Sequence, residues 1–340
     1  MMNHGSFVLA ATWVAAAASI GGRAMAGDWV DISTPVIAKL AAAGRKPAWP
    51  GGAAGITADP QTGDVYMVVP GQGLWKSTDR AASFSRIDGG GYTGRCETGA
   101  ALQVDPDRGG RLASFTLDGR AGMTLDGGKN WTWFKDVGRN WDYGAVDWSA
   151  DRPLHILAMR HESGGELYLT HDGGDSWKQV AKNPSYGCVG IFDDKTLITC
   201  TKDEILRSTD GGAAWTPAGR FAVLSHVVIR YRNTAYLIAS QGLIASTDRG
   251  ATWRPLGRLA VTKDDITFGP AFKDASHFIV WGSRGILRTD DGGDTWTLVA
   301  PPPSDYMKWS PQWMNNVAWD VKTDAFYTSH MSLPAYRWQK

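Results

Sequence analysis

Three cysteines in 340 residues are too few for a disulfide scaffold. Charge of one sign is lacking too: 35 Lys and Arg stand against 34 Asp and Glu, a net +1. No basic run offsets that balance, which argues against a nucleic-acid partner. Beyond the N-terminus no apolar run is long enough to span a bilayer, so no membrane association is expected of the mature chain. Phosphate and metal signatures are also missing. Gly89-Gly90-Gly91 is followed by no Gly-Lys-Ser/Thr, and His161-Glu162 has no second ligand at helical spacing. The sequence therefore predicts no metal site and no cofactor.

The first 26 residues read as a secretory signal, with an apolar stretch from Phe7 to Ile20 and a small-x-small site, Ala24-Met25-Ala26, before Gly27. Its start carries no Lys or Arg. The expected organisation is a signal peptide over 1–26 and one domain over 27–340. The product is then exported, periplasmic or extracellular. In such a compartment Cys188 and Cys200, which flank Asp193-Asp194-Lys195 symmetrically, face each other either as a disulfide or as two buried thiols. Cys96 is left over, and burial is its expected place.

What is abundant is glycine, 41 residues, and tryptophan, 17, which fits an all-β chain with many tight turns. Both fall into a repeat. Six times the chain runs Ser/Thr, any residue, Asp, any residue, usually Gly, two residues, then an aromatic. The copies begin at Ser77, Thr124, Thr170, Ser208, Ser246 and Thr289 and close on Phe84, Trp131, Trp177, Trp215, Trp253 and Trp296. Each lies between two short apolar runs, which predicts a β-hairpin with a polar turn. The Asp carboxylate and the hydroxyl can bond the turn's own backbone. The fifth-position Gly supplies a left-handed conformation, and the aromatic buries apolar surface between units. Ala81 and Phe84 replace Gly and Trp in the first copy, so that turn is expected to be the most irregular.

A period near 40–47 residues marks radially stacked units. Removing 26 residues from 340 leaves 314, which at roughly 45 per blade makes seven blades. The seventh is expected from both ends. Asn316–Asp320, Ala325–Thr328 and Ala335–Trp338 supply three strands, and Asp28–Ile32 the outer one, with Trp29 in the repeat tryptophan's place. Such pairing closes the ring and removes exposed edges. The expected fold is all-β, a single seven-bladed propeller whose last blade is closed by the N-terminal strand.

The repeated octet resembles the Asp-box, or BNR repeat, of the sialidase-like β-propeller superfamily, and the likeness covers nearly the whole mature chain. That superfamily includes xyloglucan-degrading enzymes, sortilin-type receptors and photosystem assembly factors, so the resemblance implies a fold and not one function. Sialidases of the group carry an Arg-Ile-Pro segment that this chain lacks. The xyloglucanase-type relatives use two propellers, and this chain has material for one. In related propellers ligands bind on the rim opposite the repeated turns, which is where the inter-blade loops and the second-to-third-strand hairpins lie.

Candidates for that rim follow. Glu97, Asp142, His161 and Glu162 are acid–base candidates: two carboxylates would serve a glycoside hydrolase. A lyase acting on a uronate would instead need a base such as His161 or Tyr143 and an Arg for the carboxylate. Arg95, Arg160 and Arg284 suit an acidic ligand group. Trp141, Trp309, Trp313 and Tyr92 suit the apolar face of a sugar ring, and Asp265 and His330 complete the set of binding residues. Loop packing for the aromatics and plain solvation for the arginines are the alternative roles. Two functions follow: an exported carbohydrate-active enzyme, hydrolase or lyase, with a glycan substrate, and a non-catalytic propeller that binds glycan or a protein partner.

Overall fold

A computed structural model describes residues 27–96, 98–135, 140–259, 268–282, 284–306 and 314–339. It is a seven-bladed β-propeller: seven antiparallel sheets, each of four strands in sequential order except the last. The third blade is representative, with strands Trp141–Val146, Ile156–Arg160, Glu166–Thr170 and Lys178–Lys182. Its second and third strands are almost wholly buried, while every residue of the fourth is exposed or half-buried. This is the gradient expected of sheets stacked face to face around an axis.

The first strands line the ring. Ile56–Ala58 lies against both Leu102–Val104 and Met314–Asp320, and Trp141–Val146 against Cys188–Ile191. The closing blade is built as expected. Met314–Asp320, Ala325–His330 and Tyr336–Gln339 are joined by the N-terminal strand Asp28–Asp31, with Trp29 opposite Trp338. Those two indoles meet edge to face at 5.2 Å, and Trp29 Nε1 donates to the Pro301 carbonyl of the sixth blade at 2.7 Å.

The six repeated turns have one geometry. In each, the first hydroxyl donates to the Asp at 2.7–2.9 Å. It also accepts the fifth residue's buried N–H at 2.8–3.0 Å. The Asp in turn accepts the seventh residue's N–H at 2.8–3.0 Å. The first copy is not irregular, as its sequence led us to expect, but strained. Arg80 and Ala81 hold the left-handed φ values, +61° and +62°, that Gly127 and Gly128 hold in the second copy. The three hydroxyl and carboxylate bonds are enough to impose the turn on residues that resist it.

Cys188 and Cys200 are directly opposed across a strand pair, and both are buried thiols, as is Cys96. One element was not anticipated, the helix Thr34–Ala42. The Asp31 carboxylate accepts the Ser33 and Thr34 N–H groups at 2.9 Å at its start, and Val36 and Leu40, one turn apart, are buried. The chain then crosses the rim opposite the repeated turns as a strap. Ala48 N–H bonds the Pro70 carbonyl at 2.8 Å, Gly52 N–H that of Met331 at 3.0 Å, and Cys96 N–H that of Ala54 at 3.2 Å. Residues 48–54 thereby tie together loops of the first, second and seventh blades.

Candidate functional site

The rim opposite the repeated turns carries a polar chain of contacts running from the strap to the third blade. It starts at Trp49, which is 67% exposed and has the Arg95 guanidinium 4.7 Å from its ring centre. Arg95 enters the second blade, where its backbone bridges Leu117 and its Nη1 pairs with Asp118. Asp118 sits at the tip of that blade's hairpin with φ +58°, and its N–H donates to Asn140 Oδ1 at 2.8 Å. The Asn140 carbonyl then accepts the His161 N–H at 2.9 Å.

His161 is where this chain of contacts meets two carboxylates. Its Nδ1 lies 2.6 Å from Asp142 Oδ1, and its Nε2 lies 3.7 Å from Glu162 Oε1. Asp142 reaches it because the strand register shifts between Trp141 and Tyr143, a bulge that leaves residue 142 unpaired. Glu162 forms the tight tip of the next hairpin with φ +46°. That tip is braced by Ser163, whose hydroxyl donates to the Arg160 carbonyl at 2.8 Å and accepts the Glu166 N–H at 3.0 Å. Burial raises the Asp142 carboxyl above its usual range, and the hydrogen bond and charge of His161 oppose that rise. A neutral imidazole whose Nδ1–H donates to a carboxylate carries its lone pair on Nε2, here the nitrogen on the Glu162 side.

The other predicted residues divide. Arg160 is committed to Glu166, at 3.4 Å, whose carboxyl is held low mainly by its bond from Lys182. Arg284 is exposed at the sixth-blade hairpin tip, across the ring from His161. Four candidates are buried, and the structure corrects their expected role as contact residues. Tyr92 is fully enclosed, with its hydroxyl 2.8 Å from Ser114 Oγ. Trp141 packs on Trp177 at 4.7 Å and Tyr168 at 5.8 Å. Tyr143 donates to the Gly187 carbonyl at 3.0 Å, and burial raises its phenol well above the usual value. His330 lies buried beside Tyr306 and accepts the Ser332 N–H on Nδ1 at 3.1 Å. Burial holds its pKa down to about 4. Glu97, Asp265, Trp309 and Trp313 lie outside the described residues.

Sequence reasoning passed over Trp49, Asp118 and Asn140. Asp118-Gly119 is a turn signal that places residue 118 at a hairpin tip on this rim; nothing in the sequence pairs it with Arg95.

No family model and no curated protein sequence matches the chain. Solved structures do. YCF48 bound to a D1 peptide superposes with a TM-score of 0.55 at 13% identity, covering 95% of this chain and 100% of that one. The GH74 enzyme of Niastella koreensis gives 0.50 at 16%, covering 84% of this chain and 52% of the enzyme. The extracellular domain of BT4673 of B. thetaiotaomicron, from a two-component system, gives 0.56 at 8%, covering 92% and 40%. This chain thus spans about half of the GH74 enzyme and less of the sensor. At these identities the likeness shows the propeller fold. Carbohydrate enzymes and binding or sensor domains alike occur among its neighbours.

Proposed function

We propose that this chain is an exported, Asp-box-type propeller that acts on acidic glycans at the rim carrying His161, by abstracting a proton. The carrying observation is the 2.6 Å contact between Asp142 and His161 Nδ1. It fixes the tautomer and ring orientation of a base at the mouth of the fold, the role a carboxylate plays behind a catalytic histidine. Asp142 and Glu162 flank the imidazole on opposite nitrogens, so the space a glycosidic bond would need between two carboxylates is filled by His161. That arrangement favours elimination over hydrolysis. In the step proposed, His161 Nε2 takes the proton α to a uronate carboxylate. The C–O bond at the β position breaks, its electrons leave with the departing sugar oxygen, and a carbon–carbon double bond forms. The leaving oxygen is protonated from water. Arg95 is the nearest cation along the contact chain for the uronate carboxylate, and its exposed partner Asp118 is the group a ligand would displace.

The residues 1–26 that precede the propeller are read as the export signal. No helix among the described residues is long and apolar enough to cross a membrane.

A second reading has its own observation. Trp49 offers an open indole face backed by Arg95, on a strap that ties three blades. Tryptophan and arginine together are the composition of a protein-binding hot spot, and the neighbour matched over its full length was solved with a peptide bound. The two readings separate in one experiment. Purified 27–340 is offered uronate-containing and neutral glycans, with reducing ends and unsaturated-product absorbance followed together. Elimination gives both signals on uronates, and His161→Ala and Asp142→Asn each lose roughly 10²–10⁴-fold in turnover with melting unchanged within about 2 °C. Reducing ends without absorbance would mean hydrolysis. No turnover on any glycan would leave the binding reading.

A further inference from the structure

On the opposite rim, among the repeated turns, three side chains from two blades converge. His155, His171 and Asp194 each offer one ligand atom, and all three atoms lie within 4.8 Å of one another. We propose that they form a binding site for a divalent transition-metal ion of the zinc type. This stands independently of the reading of His161.

The donor set fits that class. Two imidazoles and one carboxylate suit zinc and its first-row neighbours, whereas calcium and magnesium prefer all-oxygen cages. Three protein ligands leave a fourth position for water, as in open zinc sites. Metal–ligand bonds of about 2.0–2.2 Å require the ligand atoms to close to about 3.3 Å. That movement is small, and it falls on an exposed His171 and a half-buried Asp194.

The backbone beneath the ligands is already fixed. His155 ends the loop between the first two strands of the third blade, and the Leu154 carbonyl accepts the Gly173 N–H at 3.0 Å. That bond docks the turn bearing His171 beside it, and the two rings stand edge to face at 5.6 Å. Thr170 and Asp172 hold the turn on either side of His171, with their hydroxyl–carboxylate bond at 2.7 Å. Asp194 comes from the corresponding loop of the fourth blade, anchored where Gly211 N–H bonds the Lys195 carbonyl at 3.0 Å. Its neighbour Asp193 is occupied, accepting the Lys195 and Thr196 N–H groups and pairing with Arg249.

The outer support points the same way. Asp147, buried, faces His155 Nδ1 at 3.7 Å and is itself paired with Arg230 at 3.5 Å. A metal-bound histidine almost always gives its other ring N–H to a carboxylate, a backbone carbonyl or water, and Asp147 is within reach of that role after a small closure. Asp147 on Nδ1 leaves Nε2 of His155 for the ion. Asp147 is thus a positioning residue, and His155, His171 and Asp194 are the ligands.

The test uses the tag-free 27–340 chain, stripped with chelator and titrated with Co²⁺ and then Zn²⁺. The expected result is one Co²⁺ per chain, with visible d–d absorption that Zn²⁺ abolishes and Ca²⁺ or Mg²⁺ does not. His171→Ala and Asp194→Asn each weaken binding at least tenfold. His171 is exposed and outside its turn's hydrogen bonds, so that variant should melt like the parent without metal. His277→Ala, at a half-buried histidine of the sixth blade paired with Asp274, keeps the affinity. Absence of saturable 1:1 binding, or undiminished affinity in His171→Ala, overturns the proposal.

Discussion

Replacing Trp29 by Ala tests whether the ring is closed by its two ends. The indole is half-buried, so about half the 3–5 kcal/mol of a core Trp→Ala change is at stake. The edge-to-face pair with Trp338 adds about 1 kcal/mol. The 2.7 Å bond to the Pro301 carbonyl is worth about 1 kcal/mol more. Trp29→Ala should therefore cost about 3.5–4.5 kcal/mol. A domain of this length shifts by about 2 °C per kcal/mol, so the midpoint should fall by about 7–9 °C. Thermal unfolding followed by calorimetry reads this directly, with Trp49→Ala as the control. Trp49 is 67% exposed and should move the midpoint by less than about 1 °C. A Trp29→Ala protein melting within 1 °C of the parent would refute the closure, and so would a Trp49 variant that loses as much.

Four further outcomes follow. Ser246→Ala removes the acceptor of the buried Gly250 N–H, bonded at 2.8 Å, and should cost about 1–3 kcal/mol by denaturant titration. Ala81→Gly relieves a left-handed Ala at φ +62° and should leave the midpoint unchanged or raised. Gly250→Ala, at φ +79° with the new Cβ 2.4 Å from Ile198 Cδ1, should lower it clearly. Hydrogen bonds from the Ser83 and Thr295 side chains lead in pulling Asp79 and Asp291 down to about 2. Carboxyls lowered on folding stabilise the native state above their unfolded pKa near 4, and that contribution is lost as pH falls through about 2. Melting should therefore begin to decline below about pH 6.5, where buried His330, held down to about 4, resists the proton the unfolded chain takes up, and should decline further between about pH 4 and pH 2, that second part less steeply in Asp291→Asn.

Blade number, turn position and ring closure were legible because each is written locally: a period, an octet, a pair of terminal strands. The site was only partly so. Trp141 and Tyr143 read as loop residues, yet the strand begins at Trp141, and alternation within it turns both rings into the packing between blades. The same strand start, broken by its bulge, turns Asp142 toward His161. One irregular residue thus decides which neighbour faces the ligand and which the core, and bulges carry no reliable sequence mark. His330 was misplaced for the same reason, since the strand Ala325–His330 runs through the expected loop. The helix at Thr34 was hidden among the strand signals because its apolar positions, Val36 and Leu40, amount to a single turn of periodicity.

The two rims differ in how they are specified, and that difference bears on function. In the repeated octet the first and third residues make the turn, while the second makes none of its bonds. That second position holds Thr78, Leu125, His171, Thr209, Thr247 and Asp290 in the six copies. A ligand-bearing side chain can therefore be installed there at no cost to the fold, as His171 is. On the other rim, Arg95, Asp118, Asn140 and His161 hold one another across blades, so a change at one shifts its neighbours. The consequence is a double dissociation. His171→Ala should lose cobalt binding and keep whatever glycan turnover the chain has, because no contact described above joins that turn to His161. His161→Ala should do the reverse. A metal titration that alters turnover in proportion to occupancy would show the two rims to be coupled, and this account of their independence would fail.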